Sequence, residues 1–124
     1  MLIVAGKYLI DSMSKNKPDS IYFSMLASTD TSFLRQAITV LQSYTPVPIV
    51  KYRTPDEDKF MKNRAAVLLT IVFWDNYESA RIPFICYDWT QGYRQVFDGD
   101  LVMRRNGGNW IIKEMVKQND VPMD

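Results

Sequence analysis

Leu2, Ile3, Tyr8, Leu9 and Met13 recur at helical spacing over residues 2–15. Lys15-Asn16-Lys17-Pro18 ends that helix, because the residue before a proline is pushed out of the α region. Pro18-Asp19-Ser20 opens a short second segment through Ile21-Tyr22-Phe23-Ser24-Met25-Leu26, which reads as one or two helical turns. Ser28-Thr29-Asp30-Thr31 offers N-caps for a third helix, in which Phe33, Ala37, Ile38, Leu41 and Tyr44 share a face. Pro46 and Pro48 stop it.

Beyond Pro48 the pattern changes to strands. Ile49 to Arg53 is a short one, and Thr54-Pro55-Asp56-Glu57-Asp58-Lys59 is a polar connection. Ala65 to Trp74 is the strongest strand, rich in β-branched and aromatic residues. Its alternate sets, Ala65/Val67/Leu69/Ile71/Phe73 and Ala66/Leu68/Thr70/Val72/Trp74, are both apolar, so both faces should be covered. The N-terminal helices can meet one face. A second copy of the chain is the simplest cover for the other, which makes Leu68, Val72 and Trp74 interface candidates and a homodimer the expectation.

Asp75-Asn76-Tyr77-Glu78-Ser79 reverses the chain, and Arg81 to Trp89 returns. Pro83 lacks a backbone donor and implies an edge position or a bulge. After the bend at Thr90-Gln91-Gly92, Tyr93 to Phe97 and Leu101 to Arg105 form one long bulged strand or two shorter ones across Asp98-Gly99-Asp100. Asn106-Gly107-Gly108-Asn109 reaches positive φ cheaply and reverses tightly. Trp110 to Lys117 then closes the sheet as a core strand, leaving 118–124 as a frayed tail. Residues 1–117 thus read as a single α+β domain, with no repeat, low-complexity tract or linker.

At 124 residues the chain can bury a core without staples. A net charge of +1 provides no field for nucleic acid or acidic membranes. Three Trp, seven Tyr and six Phe favour a thick core, an aromatic-lined cavity or a sticky surface, the core first. Histidine is absent, which removes Ser-His and Cys-His nucleophile pairs and most zinc sites. Cys86 is the lone cysteine, excludes an intrachain disulfide, and reads as a small buried hydrophobe. Met1-Leu2-Ile3-Val4-Ala5 is too short to span a bilayer and lacks a secretory pattern.

Four residues are pocket candidates. Asp88, between Tyr87 and Trp89, could serve as a general base if burial raised its pKa, with Tyr87 or Tyr93 as donor to a developing oxyanion. Alternation sends Tyr87 and Trp89 to the opposite face, leaving only Tyr93. The structural alternative is that Asp88 points to solvent or caps the Gly92 bend. Trp110 belongs to the same set, and so does Glu114, which period two puts on the face of Trp110, Ile112 and Val116, at a pocket mouth or as a solvated strand end. Asp56-Glu57-Asp58 lacks the spacing and glycine of a calcium loop. Arg104 and Arg105 alternate to opposite faces, and no helix follows Gly107-Gly108, so neither a basic patch nor a phosphate cradle is expected. No metal or cofactor is called for.

Helices followed by long strands, with a glycine turn before Trp-Ile-Ile, resemble the nuclear transport factor 2-like superfamily, the cystatin-like cone. The residues carrying the likeness are Ala5-Gly6-Lys7-Tyr8-Leu9-Ile10 and Arg104-Arg105-Asn106-Gly107-Gly108-Asn109-Trp110-Ile111-Ile112. Within the superfamily the chain looks most like exported domains of Gram-positive lipoproteins and the N-terminal extension of some penicillin-binding proteins. The resemblance implies N-terminal helices packed on a strongly bent antiparallel sheet of four to six strands, open at one end for a ligand. It implies a non-catalytic binding or assembly module for a protein partner or a small apolar ligand, often dimeric. A small pocket enzyme (isomerase or hydratase), or a component of a secretion or conjugation machine, is the alternative. The resemblance to exported domains favours a place outside the cytoplasmic membrane, with a tether upstream of the given chain, over the cytoplasm; the lone Cys and absent His fit either one.

Overall fold

An amphipathic helix, α1 (Leu2–Ser14), opens the chain and buries Ala5, Gly6, Leu9, Ile10 and Met13 in one stripe. A Cβ at Gly6 would come 3.2 Å from the Phe23 ring and 3.3 Å from Leu41, so the bare glycine lets the helix close onto the sheet. The computed structural model describes residues 1–25, 31–52 and 62–117. The caps Ser28 to Asp30, the Asp56-Glu57-Asp58 connection and the 118–124 tail lie outside the described residues.

Strand β1 (Ser20–Met25) occupies the segment expected to be helical. Ile21, Phe23 and Met25 point inward, and the strand pairs in parallel with both β2 (Ile49–Lys51) and β3 (Arg64–Leu69). So short an apolar run does not separate a strand from a buried helix by periodicity. Two flanking strands, distant in sequence, supply the backbone partners that decide it.

Between β1 and β2 lies α2 (Thr31–Gln42), which buries Leu34, Ala37 and Leu41, with Ile38 half-buried. Phe33 and Tyr44 are exposed, so the expected stripe begins one residue late, and Tyr44 lies past the helix end under the Lys7 ammonium at 4.5 Å. Gln42 organises the exit. Its Nε2 donates to the carbonyls of Thr45 (3.0 Å) and Val47 (2.9 Å), and its Oε1 accepts from the Ile49 N–H (2.7 Å).

The run from Ala65 to Trp74 is two strands, not one. β3 ends at Leu69, and β4 (Phe73–Asn76) begins after a break. Both lie along one side of β5 (Ser79–Asp88), β3 against Phe84 to Asp88 and β4 against Ser79 to Arg81. Pro83 sits at the break, where its carbonyl accepts from the Thr70 N–H (3.0 Å) and Oγ1 (3.1 Å). N–H and C=O of one residue in an antiparallel strand point the same way, so the donor that proline lacks would face this gap. Pro83 is therefore accommodated in an internal strand.

β6 (Gln95–Asn106) is one unbroken strand that pairs with β5 along ten residues. At Gly99 the next strand passes so near that a Cβ would collide with the Val116 carbonyl. The glycine turn, with Gly107 at φ 65°, leads into β7 (Asn109–Lys117). β7 is an edge strand with Trp110, Ile112 and Met115 half-buried, which corrects the expected core strand.

The sheet is curved and unclosed, with seven strands among the described residues, in the order β2-β1-β3-β5-β6-β7 and β4 beside β5. It is mixed, with β1 parallel to both neighbours, and exceeds the expected four to six antiparallel strands. The fold is α+β, with two helices among the described residues. The main core joins both helices to the inner face through Phe23, Val67, Leu69, Ile82 and Leu101. A smaller cluster on the other face packs Ala66 and Trp89 with Tyr22, Tyr52 and Tyr87. The single chain thus covers both faces of β3. Leu68 is only 7 % exposed and Val72 packs half-buried on the main core, so these two form no open row with Trp74.

Candidate functional site

The paired neighbours of β6 change along its length. From Gly99 to Arg104 it lies between β5 and β7, but among the described residues Gln95 to Asp98 pair with β5 alone. Beside that unpaired stretch, below the end of α1, lies a cavity of about 320 Å³. Its apolar wall is Leu9 and Met13 from α1, Phe84 and Cys86 from β5, Phe97 from β6 and Met115 from β7. Ser12, Lys15 and Asn16 from the helix end, with Asp98 and Lys117 from the sheet, supply the polar groups.

A β-bulge places Met115 and Lys117. Met103 faces Ile112, but Val102 faces Glu114, leaving Lys113 without a partner. The extra residue switches the phase of β7, so Met115 joins the inner face opposite Leu101. Glu114 leaves the face of Trp110 and Ile112 and is exposed opposite Val102, which corrects the period-two placement.

Cys86 is 1 % exposed, and burial pushes its thiol up to about 12 from 9.0. It remains a neutral thiol near pH 7, a packing group and not a thiolate nucleophile. Asp98 keeps one carboxylate oxygen, Oδ1, shut off from solvent with no hydrogen-bond partner among the described residues.

Asp88 is fully buried and does not line the cavity. It ties the helix exit to the β5–β6 bend, as Oδ2 accepts from Asn16 Nδ2 (2.6 Å) and Oδ1 accepts from the Thr90 N–H (2.8 Å) and Oγ1 (2.5 Å). Tyr93 is exposed and its hydroxyl accepts from Gln95 Nε2 at 3.3 Å; no hydrogen bond joins it to Asp88. Trp110 lies opposite Arg105 near the hairpin turn, far along β7 from the cavity. The structure therefore gathers none of Asp88, Tyr93, Trp110 and Glu114 around the cavity. Residues that do line it were partly legible, with Leu9 and Met13 four apart on a helix and Phe84 and Cys86 two apart on a strand. Met115 was not, because a bulge leaves no mark in a hydrophobic pattern.

Among the described residues no three His, Cys, Asp or Glu side chains gather as a metal site, and no helix is long and apolar enough to cross a membrane. Compared with models of known families, with curated proteins and with solved structures, the chain matches none.

Proposed function

We propose that the protein is a non-catalytic binding module whose cavity takes a small, largely apolar ligand. The observation carrying this reading is the cavity of about 320 Å³ with side chains from α1, β5, β6 and β7 converging on it. Its size is at the lower end of the range for ligand sites. At about 30 Å³ per water-sized unit, it accommodates roughly ten non-hydrogen atoms. A second reading, an isomerase or hydratase built on Asp88, lacks a comparable observation, because both carboxylate oxygens of Asp88 are engaged by Asn16 and Thr90.

Methionine methyl groups provide the test. With ¹³C-methyl methionine, a panel of short alkyl alcohols, alkyl carboxylates and substituted benzenes should shift Met13 and Met115, which line the cavity. Met25 and Met103, buried elsewhere in the core, should stay in place. A panel that leaves Met13 and Met115 unmoved at millimolar ligand would refute the reading.

A further inference from the structure

The free edges of this sheet are guarded unequally. β7 carries a bulge at Lys113 and ends in Lys117, and β2 has three residues ending in Lys51. Short edges, bulges and lysines are the usual protections against pairing with another chain. β4 is also short, at four residues, but it has no lysine or proline, and among the described residues β5 is the one strand paired with it. All four of its residues are exposed. Its one irregularity, at Asp75, falls at the turn end.

Large apolar side chains crowd this edge. Ile71 is 61 % exposed, Phe73 52 %, Trp74 57 % and Tyr77 75 %. With about 150–250 Å² for a full side chain of this class, the four present roughly 400–600 Å² to solvent. By alternation that area is divided between the two faces of the sheet, with Phe73 on one and Trp74 on the other. Joining two such edges would bury at most roughly 1,000 Å², the size at which a specific but weak interface begins. Beside the edge, Asp75 Oδ1 lies 3.3 Å from Arg81 Nε, and both side chains are substantially exposed. An acid and a base side by side form a self-complementary pair, which a two-fold axis can bring against its own copy.

We propose that β4 is a dimerisation edge, pairing antiparallel with β4 of a second copy about a two-fold axis so that one sheet runs through both molecules. The exposed backbone groups of β4 pair across the axis, Phe73 and Trp74 pack on opposite faces, and Asp75 of each copy meets the partner's Arg81. This interface does not involve the cavity.

Analytical ultracentrifugation from about 1 µM to about 300 µM should show a reversible monomer–dimer equilibrium with a dissociation constant of tens of micromolar. Phe73→Lys places a charge on the edge and should weaken association roughly tenfold or more, with the thermal melt otherwise unchanged. Asp75→Arg makes the corner wholly basic and Arg81→Asp makes it wholly acidic. Each variant should be monomeric alone, and an equimolar mixture should form a heterodimer. A monomeric wild type over the whole range would overturn the proposal. So would a dimer indifferent to Phe73→Lys, which would use another face, or a charge-swapped pair that fails to associate when mixed.

Discussion

Removing the Asp88 carboxylate is the sharpest test of how the helix exit is held to the sheet. Asp88 is fully buried and accepts three hydrogen bonds, from Asn16 Nδ2, the Thr90 N–H and Thr90 Oγ1. Hydrogen bonds to a charged group contribute roughly 1.5–3 kcal/mol each. They do not add fully here, because Asn16 is exposed and recovers a bond to water when its partner is lost. Asp88→Ala should therefore cost about 3–4 kcal/mol. Asp88→Asn keeps an acceptor for Thr90 and presents its amide group to Asn16, which can turn its own oxygen toward it; about 1–2 kcal/mol is expected. Urea unfolding followed by circular dichroism measures both, with an unchanged m-value showing that only stability has moved. Coupling with Asn16→Ala in a double-mutant cycle should come to about 1 kcal/mol. An Asp88→Ala variant within about 0.5 kcal/mol of wild type would refute the argument, since that is the range of a surface change. The folded Asp88→Asn variant should also keep cavity binding within a few-fold, because Asp88 does not line the cavity.

Two further expectations concern Cys86 and Trp110. The folded thiol, raised to about 12, stays protonated while an unfolded chain ionises near 9.0. Its contribution is complete below the lower value and falls as pH rises between the two, by about 1.4 kcal/mol per unit. Urea midpoints of wild type and Cys86→Ala across that range should show the excess slope in the wild type, and the native thiol should ignore Ellman's reagent at neutral pH. Trp110 is half-buried, with its ring 5.5 Å from that of Trp74 and the Arg105 guanidinium 4.8 Å above it. Trp110→Ala should cost about 1.5–3 kcal/mol, below the value for a fully enclosed aromatic. An unchanged melting temperature would place this end of the hairpin outside the cooperative unit.

Where a segment's conformation depends on nearby residues, the pattern along the chain was informative. α1 needs only its own stripe and Pro18, and the β6–β7 reversal needs only glycines tolerant of positive φ. The inward placement of Phe84 and Cys86 follows from period two on a strand with no bulge. The interface candidates were drawn from Ala65 to Trp74 taken as one strand; the ladder breaks after Leu69, at Thr70, the one polar residue of that run, which donates to the Pro83 carbonyl.

Sequence by itself determined the α+β class, the first helix, the closing hairpin, the packing role of Cys86 and the exclusion of histidine chemistry. Each follows from residue type or from spacing within a few residues. Tertiary structure alone decided that Ile21 to Met25 is a strand, because its partners Ile49 and Ala65 lie far along the chain. It also decided the break opposite Pro83, the bulge at Lys113 and the cavity. These come from competition among strands for backbone hydrogen bonds, and that competition is settled only when the whole sheet has assembled.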